Sequence, residues 1–288
     1  MKIVVTGKGG QLSSELEYLN KNNPNWKFLS INDLNIAEYN KLKLFFERNK
    51  TDLIINCAAY TDVEKAQDEP ENAYLANKIG VDNLIKVCER FSIKLIHYST
   101  DYVFDGENKS QLDESCKALP INIYGHSKLA GEISIINSSV KSIIIRTSWV
   151  YSVFGNNFVK KIIKLAKNNS SISVINDQIG TPTNAADLAD VTVKIINDFN
   201  YNWKTGDIFH FSNDGFCSWY DFAVEILNFY DFKTKVDGLK SHKFKFKADR
   251  PKNSILSKKK ITTTFNLEIK DWKISLKEVL NRININYI

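Results

Sequence analysis

Short, uninterrupted apolar runs alternate along the chain with stretches whose apolar residues recur at helical spacing. The runs are "KIVVTG", "WKFLSI", "DLIINCAA", "KLIHYST", "SIIIRTSWVY" and "ISVIND", rich in β-branched and aromatic residues and ending in small or polar ones. Between them lie "SSELEYLNK", "YNKLKLFFERN", "ENAYLANKIGVDNLIKVCERF", "YGHSKLAGEISII" and "NFVKKIIKLAKN", which predict helices. Strands without polar alternation are covered on both faces, so the pattern predicts an α/β chain built on a doubly wound parallel sheet. Ligands of such a sheet bind beyond the carboxyl ends of its strands. After about residue 175 the rhythm loosens: "AADLADVTVKIINDF" and "SWYDFAVEILNFY" predict helices around a strand "DIFHFS", followed by a lysine-rich tail and a last helix near "ISLKEVLNRI". The expectation is a dinucleotide-binding domain over residues 1–175 and a smaller, partly interleaved α/β lobe over 176–288.

Composition narrows the function classes. With 288 residues and 43% hydrophobic content the chain can bury a sizeable core. No run reaches the eighteen or so apolar residues of a membrane helix, and "MKIVVTG" lacks the plan of a signal peptide, so a cytoplasmic protein without membrane contact is expected. Cys57, Cys88, Cys116 and Cys217 lie far apart, as do His97, His126, His210 and His242, which gives neither metal-ligand spacing nor a disulfide framework. The net charge of +6 is densest late, in "KSHKFKFKADRPKN" and at Lys258 to Lys260. With no matching basic stripe in the first three-quarters, a site for a small anionic ligand fits this clustering, and no nucleic-acid partner is expected.

"VVTGKGGQLSSEL" follows the first strand and opens a helix. A glycine turn there lets the backbone approach a pyrophosphate, whose charge meets free N–H groups at the helix N-terminus. The spacing Gly7-x-x-Gly10-x-x-Ser13 puts serine where the third glycine of a Rossmann-type turn stands. No acid stands at the end of the second strand to hold a ribose hydroxyl; Ser30 and Asn32 are there, with Asp33 just beyond. The cofactor is therefore expected to be NADPH or NADH without a choice between them.

Three Tyr-x-x-x-Lys pairs occur, at Tyr39/Lys43, Tyr74/Lys78 and Tyr124/Lys128. Ketone reduction needs a proton donor beside the carbonyl oxygen, and a tyrosine with pKa near ~10 is sluggish unless a nearby ammonium favours its anion. Only Tyr124/Lys128 follows a strand ending in two adjacent hydroxyl residues, Ser99 and Thr100, which can hold the carbonyl oxygen. That pair is the expected catalytic one.

"YSTDYVFDG", "YGHSKLAGE", "RTSWVY", "NDQIGTPT" and "RPKNSIL" together resemble the dTDP-4-dehydrorhamnose reductase family of extended short-chain dehydrogenases/reductases, along nearly the whole chain. The resemblance implies Thr100, Tyr124 and Lys128 as catalytic residues, with Tyr124 and Lys128 also touching the cofactor. It places Gly10, Gln11 and Leu12 at the cofactor phosphates, Asn35 and Ile36 near the adenine, and Ala59, Tyr60, Thr61 and Tyr98 along its length. Asn35 replaces the family's usual aspartate. Asp101 and Trp149, with Thr100, would face the sugar, and Arg250 with Asn253 the nucleotide end. Some family members hold a divalent ion with acidic residues between subunits. Here Glu15, Asp187 and Asp190 are present but Ala186 stands where a glutamate would be, and no metal is expected. The resemblance implies a homodimer that takes a nucleotide-sugar substrate, dTDP-4-dehydro-6-deoxy-L-mannose, and reduces its C4 keto group to give dTDP-L-rhamnose. Two other readings share these residues: a reductase or epimerase of a related nucleotide sugar, and a non-catalytic binding subunit like the regulatory subunit of methionine adenosyltransferase. The intact Thr100/Tyr124/Lys128 set argues against the latter.

Overall fold

The structure, a computed structural model, describes residues 1–108 and 110–285. Its centre is a six-stranded, wholly parallel sheet. Five strands come early: β1 (Ile3–Thr6), β2 (Trp26–Leu29), β3 (Leu53–Asn56), β4 (Lys94–Thr100) and β5 (Ser142–Thr147). Four short strands follow, β6 (Val150–Tyr151), β7 (Ser171–Ile175), β8 (Ile179–Gly180) and β9 (Thr183–Asn184), before the sixth member of the sheet, β10 (Asp207–His210). The sheet order is β10-β5-β4-β3-β1-β2. The chain leaves β1 toward β2 on one side and then crosses to β3 on the other. A crevice opens above the carboxyl ends of β1 and β3, where the direction of winding reverses.

β1, β3 and β5 are buried at every position, because helices cover both faces. On one face Val4, Ile54, Leu95 and Ile144 pack with Leu42, Phe46, Leu84 and Ile135. These last four come from α2 (Tyr39–Arg48), α5 (Gly80–Phe91) and α6 (Ile123–Ile136). On the other face Val5, Ile55, Ile96 and Ile145 pack with Leu16 of α1 (Gln11–Asn20) and with Leu188 and Ile195 of α8 (Ala185–Asn197). Between β3 and α5 run the short helices α3 (Val63–Asp68) and α4 (Pro70–Tyr74) and a π-helical turn, Leu75–Ile79.

A second core gathers Val159, Ile162 and Ile163 of α7 (Phe158–Asn168), Phe222 and Ile226 of α9 (Trp219–Phe229), and Leu276 and Val279 of α11 (Trp272–Arg282). Between the last two, α10 (Lys259–Phe265) returns Ile261 and Phe265 to the main core. A two-residue strand, β11 (Cys217–Ser218), leads into α9 and pairs with β8. Two elements settle differently from their sequence rhythm. Ser171–Ile175 pairs in parallel with β12 (Lys235–Leu239), outside the central sheet. Its serines point to solvent while Ile172 and Val174 are buried, the one-sided pattern of a strand with a wet face. Asp207–His210, expected among the later helices, instead lines the free edge of β5 and buries Phe209 in the main core. Covering that edge removes a row of unpaired backbone groups.

Candidate active site

A cleft of about 1020 Å³ runs along the carboxyl ends of β1, β3, β4 and β5. At its β1 end the chain turns through Gly7 (φ 76°) and Gly9 (φ 92°). A Cβ on Gly7 would lie 2.6 Å from the Ala58 backbone nitrogen, so only glycine lets β1 and the segment after β3 approach there, whereas Gly9 faces open space. Ser13 closes the turn, its hydroxyl donating to the Gly7 carbonyl at 2.6 Å and reaching that of Gly10 at 3.0 Å. The replaced glycine has thus become a brace. Gln11, Leu12 and Ser13 then open α1 toward the cleft with no side-chain cap on their amides, a cradle of N–H groups suited to a diphosphate.

Gly7, Gly10, Gln11, Leu12, Asn35, Ile36, Ala59, Tyr60, Thr61 and Tyr98 all line this cleft. Asp33 has turned away from it: its carboxylate accepts from the Ser30 amide and hydroxyl at 2.8 and 2.7 Å, bonds that hold it below the ordinary carboxylate range. Lys8, also lining the cleft, is paired with Glu17 at 2.9 Å. No carboxylate faces the position of an adenosine ribose among the residues lining this end.

Thr100, Asp101, Tyr124, Lys128 and Trp149 meet at the other end. Asn122 caps α6, accepting from the Gly125 amide at 2.8 Å. The helix lies so close to its neighbours that a Cβ on Gly125 would drive into the Tyr102 carbonyl, and one on Gly131 into that of Asn77. Asn77 in the π-helical turn ties the helix down further, donating to Ser127 Oγ at 2.9 Å and to the Tyr60 carbonyl at 3.0 Å. This docking fixes Tyr124 beside the end of β4. The Tyr124 phenol is pushed up to about 12 by burial, and Asp101 adds to the rise, while the neighbouring Thr100 hydroxyl pulls the other way. Lys128 points inward, donating to the Tyr98 carbonyl at 2.6 Å, with His97 Nε2 at 3.3 Å. Burial brings its ammonium down to about 8, against the pull of Glu132. Asp101 accepts from the Thr100 hydroxyl at 3.1 Å, while its other oxygen is buried without a hydrogen-bond partner. Burial raises its carboxyl to about 6.

Trp149 sits in the left-handed region (φ 48°) and stacks on Trp219, ring centroids 3.5 Å apart and nearly parallel. A Cβ on Gly180 would come within 2.8 Å of its indole, so the ring is held from both sides. Trp219, which also lines the cleft, escaped sequence reasoning. It opens a helix behind a Ser218/Asp221 capping box, a local signal that says nothing about a partner seventy positions back.

Arg250 and Asn253 stand apart from the cleft lining. Arg250 pairs with Glu64 at 3.0 Å and lies 4.1 Å over the Phe246 ring, its Nε buried and unpartnered. Asn253 donates to the carbonyls of Asn108 and Ser110 at 2.5 and 3.1 Å. Glu15 is buried against Arg282 at 2.9 Å and Ser152 at 2.7 Å, and Asp187 accepts from Asn213 and Ser275. Among the described residues no group of three or more metal-ligating side chains is placed to hold an ion, and no helix is long and apolar enough to cross a membrane.

A doubly wound sheet, a glycine turn at its switch point and a Tyr-Lys pair beside a strand-end hydroxyl define a dinucleotide-dependent oxidoreductase of the short-chain type. A family model described as the RmlD substrate binding domain matches residues 1–285. The dTDP-4-dehydrorhamnose reductase of Aggregatibacter actinomycetemcomitans is 36% identical over 96% of this chain and 98% of its own length. A crystal structure of a dTDP-4-dehydrorhamnose reductase from Clostridium acetobutylicum superposes with a TM-score of 0.91 at 37% identity, covering 98% of this chain and 99% of that one. The Bacillus anthracis dTDP-4-dehydrorhamnose reductase, solved in complex with NADP, gives 0.92 at 36% identity, covering 98% of this chain and all of that one. The chain belongs to the dTDP-4-dehydrorhamnose reductase family.

Proposed function

We propose that this protein reduces the C4 keto group of dTDP-4-dehydro-6-deoxy-L-mannose with NADPH or NADH, giving dTDP-L-rhamnose. The observation that carries the reading is the convergence of Thr100, Tyr124 and Lys128 in the same cleft as the glycine turn, in a chain of this family. The Gly7–Gly10 turn and the α1 amides fit a pyrophosphate, because Gly9 leaves open space and Gly7 admits no side chain. A bound reduced nicotinamide supplies the hydride. Gln11 and Leu12 hold the phosphates, Asn35 and Ile36 border the adenine, and Ala59, Tyr60, Thr61 and Tyr98 flank the middle of the cofactor.

The Thr100 hydroxyl orients the sugar carbonyl, and the Tyr124 phenol donates a proton to its oxygen as negative charge develops there. Burial leaves the phenol at about 12 rather than below its ordinary value, the reverse of the lowering expected from Lys128, so at neutral pH it holds its proton until the charge developing on the carbonyl oxygen draws it off. Lys128 supports the phenolate that remains and binds the cofactor ribose. Asp101 offers its unpartnered oxygen to a sugar hydroxyl, and Trp149, braced by Trp219, walls the sugar. Arg250 and Asn253 serve the nucleotide end, Arg250 by exchanging Glu64 for the diphosphate. The cofactor falls to the unit built mainly from residues 1–175 and the nucleotide sugar to the smaller lobe built mainly from 176–288, the two partly interleaved, since α7 and β7 join the second core and β10 joins the central sheet. A homodimer acting in the cytoplasm completes the reading, to be checked by sedimentation and fractionation.

The deciding experiment follows loss of reduced-nicotinamide absorbance on substrate made in situ from the dTDP-4-keto-6-deoxyhexose. The wild type is expected to turn over, and Tyr124→Phe to bind cofactor normally while losing most turnover. Near-normal turnover by Tyr124→Phe would overturn the assignment.

A further inference from the structure

Behind Lys128 lies a closed polar chain that the reaction scheme does not use. Thr6 Oγ1 donates to Asn56 Oδ1 at 2.7 Å, and the Ala58 amide donates to the same oxygen at 3.2 Å. Asn56 Nδ2 faces His97 Nδ1 at 3.0 Å, and His97 Nε2 faces Lys128 Nζ at 3.3 Å. Thr6, Asn56, His97 and Lys128 are each at most 2% exposed. A backbone N–H only donates, so the Ala58 amide fixes which end of the Asn56 amide is its oxygen and turns the NH₂ group to His97. His97 Nδ1 must then accept, and the neutral ring carries its proton on Nε2, aimed at Lys128. An ammonium also only donates. The contact is a hydrogen bond when Lys128 is a neutral amine and a donor-to-donor clash when it is charged.

We propose that His97, held in its Nε2–H form by Asn56, is a positioning residue that opposes the charge on Lys128 and thereby sets the pH at which the catalytic lysine titrates. This rests on the proposed role of Lys128. The other groups facing the lysine do not reproduce the effect. The Tyr98 carbonyl accepts from either form, and Tyr98 Oη is spent on Thr192 at 2.7 Å. Glu132, one turn on, favours the charge but is itself neutralised by Arg146 at 2.7 Å, and the Cys57 thiol stays protonated because burial raises it. Tyr124 is likewise neutral. Burial and Lys128 together hold the His97 imidazole well below its ordinary range, so it stays neutral.

The test is Asn56→Asp. A carboxylate keeps the bonds from Thr6 and Ala58 but accepts from His97, drawing the proton to Nδ1 and leaving Nε2 to accept from the Lys128 ammonium. Nitrogen NMR of the four histidines reads the tautomer, and ¹³Cε lysine NMR, assigned with Lys128→Met, reads the titration of Lys128 without any need for turnover. We expect Nε2–H in the wild type, Nδ1–H in Asn56→Asp, and a rise of about one pH unit or more in the Lys128 midpoint. The alkaline limb of kcat follows the same rise. A wild-type Nδ1–H form, or a Lys128 midpoint unmoved by Asn56→Asp, overturns the proposal. So does a fall in kcat that is equal at every pH, as a merely structural role would give. If Asn56→Asp does not fold, His97→Leu, which removes the opposing donor, must raise the Lys128 midpoint instead. A protein without turnover that still shows the NMR shifts would sink the reductase reading and leave this one standing.

Discussion

Glu132 of α6 and Arg146 of β5 meet as a two-pronged pair, Arg146 Nε donating to Oε1 at 3.0 Å and Nη2 to Oε2 at 2.7 Å, with both side chains at most 4% exposed. Glu132→Gln keeps the shape and removes one charge. The Arg146 guanidinium is then left buried with a neutral amide, His210, whose Nε2 lies 3.5 Å from Nη1, and the Phe104 ring 5.1 Å away, none of them an opposite charge. Breaking one side of such a pair costs about 3–5 kcal/mol, mostly the uncompensated burial of the surviving charge. For a chain of 288 residues the unfolding entropy is about 0.6 kcal/mol per kelvin, so Tm should fall by roughly 5–8 °C. Differential scanning calorimetry measures this directly. The pair's net worth is a separate quantity: Glu132→Leu with Arg146→Met removes both charges and should recover most of the loss. Because Glu132 favours the Lys128 ammonium, Glu132→Gln should also move the alkaline limb of kcat downward, opposite to Asn56→Asp. A Tm within about 1 °C of wild type, or a double variant as unstable as the single one, would refute the reasoning.

Three further outcomes are expected. Gly125→Ala must push the first turn of α6 off the Tyr102 carbonyl, and displacing Tyr124 by an ångström or so should lower kcat about 100-fold with little change in cofactor affinity, measured by steady-state kinetics and cofactor fluorescence titration. Trp219→Ala removes the stack under Trp149, worth about 0.5–1.5 kcal/mol, and should raise KM for the nucleotide sugar about 2- to 10-fold while leaving the cofactor Kd unchanged. Stability should fall as pH drops below about 6.5. His97, held well below its ordinary range, and His210, pushed down to about 3, both take up protons there on unfolding. Asp101, raised to about 6, works in the other sense, since the folded form holds its proton more tightly than the unfolded chain. Asp101→Asn should therefore steepen the acid loss in guanidinium melts, and a shallower slope would contradict the sign.

The alternation of apolar runs with helical spacing was enough for the parallel sheet, since β1, β3 and β5 have no wet face and say so in their composition. It was not enough for the sheet's sixth member. "DIFHFS" and "ISVIND" look alike as short apolar runs, and only tertiary pairing puts the first at the edge of β5 and the second against Lys235–Leu239. The cleft was legible where chemistry is local: a glycine turn after a strand, a Tyr-Lys spacing after a strand-end hydroxyl. Trp219 stayed invisible because its meaning lies in a contact with Trp149, and a single chain records no such pairing. His97 gave no signal beyond its lack of metal-ligand spacing, because a histidine inside a β-branched strand looks like any buried ring until Asn56 and Lys128 are seen at its two nitrogens. Ser13 looked like a lost glycine, and its gain, a hydroxyl bracing the turn, is a matter of geometry.

The chain enters the second core three times, through α7 with β7, through α9 with β12 and through α11, and between visits returns to the main core with Leu188, Phe209, Ile261 and Phe265. Such stitching leaves no single cut that separates two self-sufficient pieces. Any fragment ending near the middle would expose either the β5 edge or half of an apolar interior. Split-protein reporters and domain grafts built from this scaffold would therefore have to exchange whole halves of the weave, and melting should show one transition in which the floor of the cleft and its Trp149/Trp219 wall are lost together.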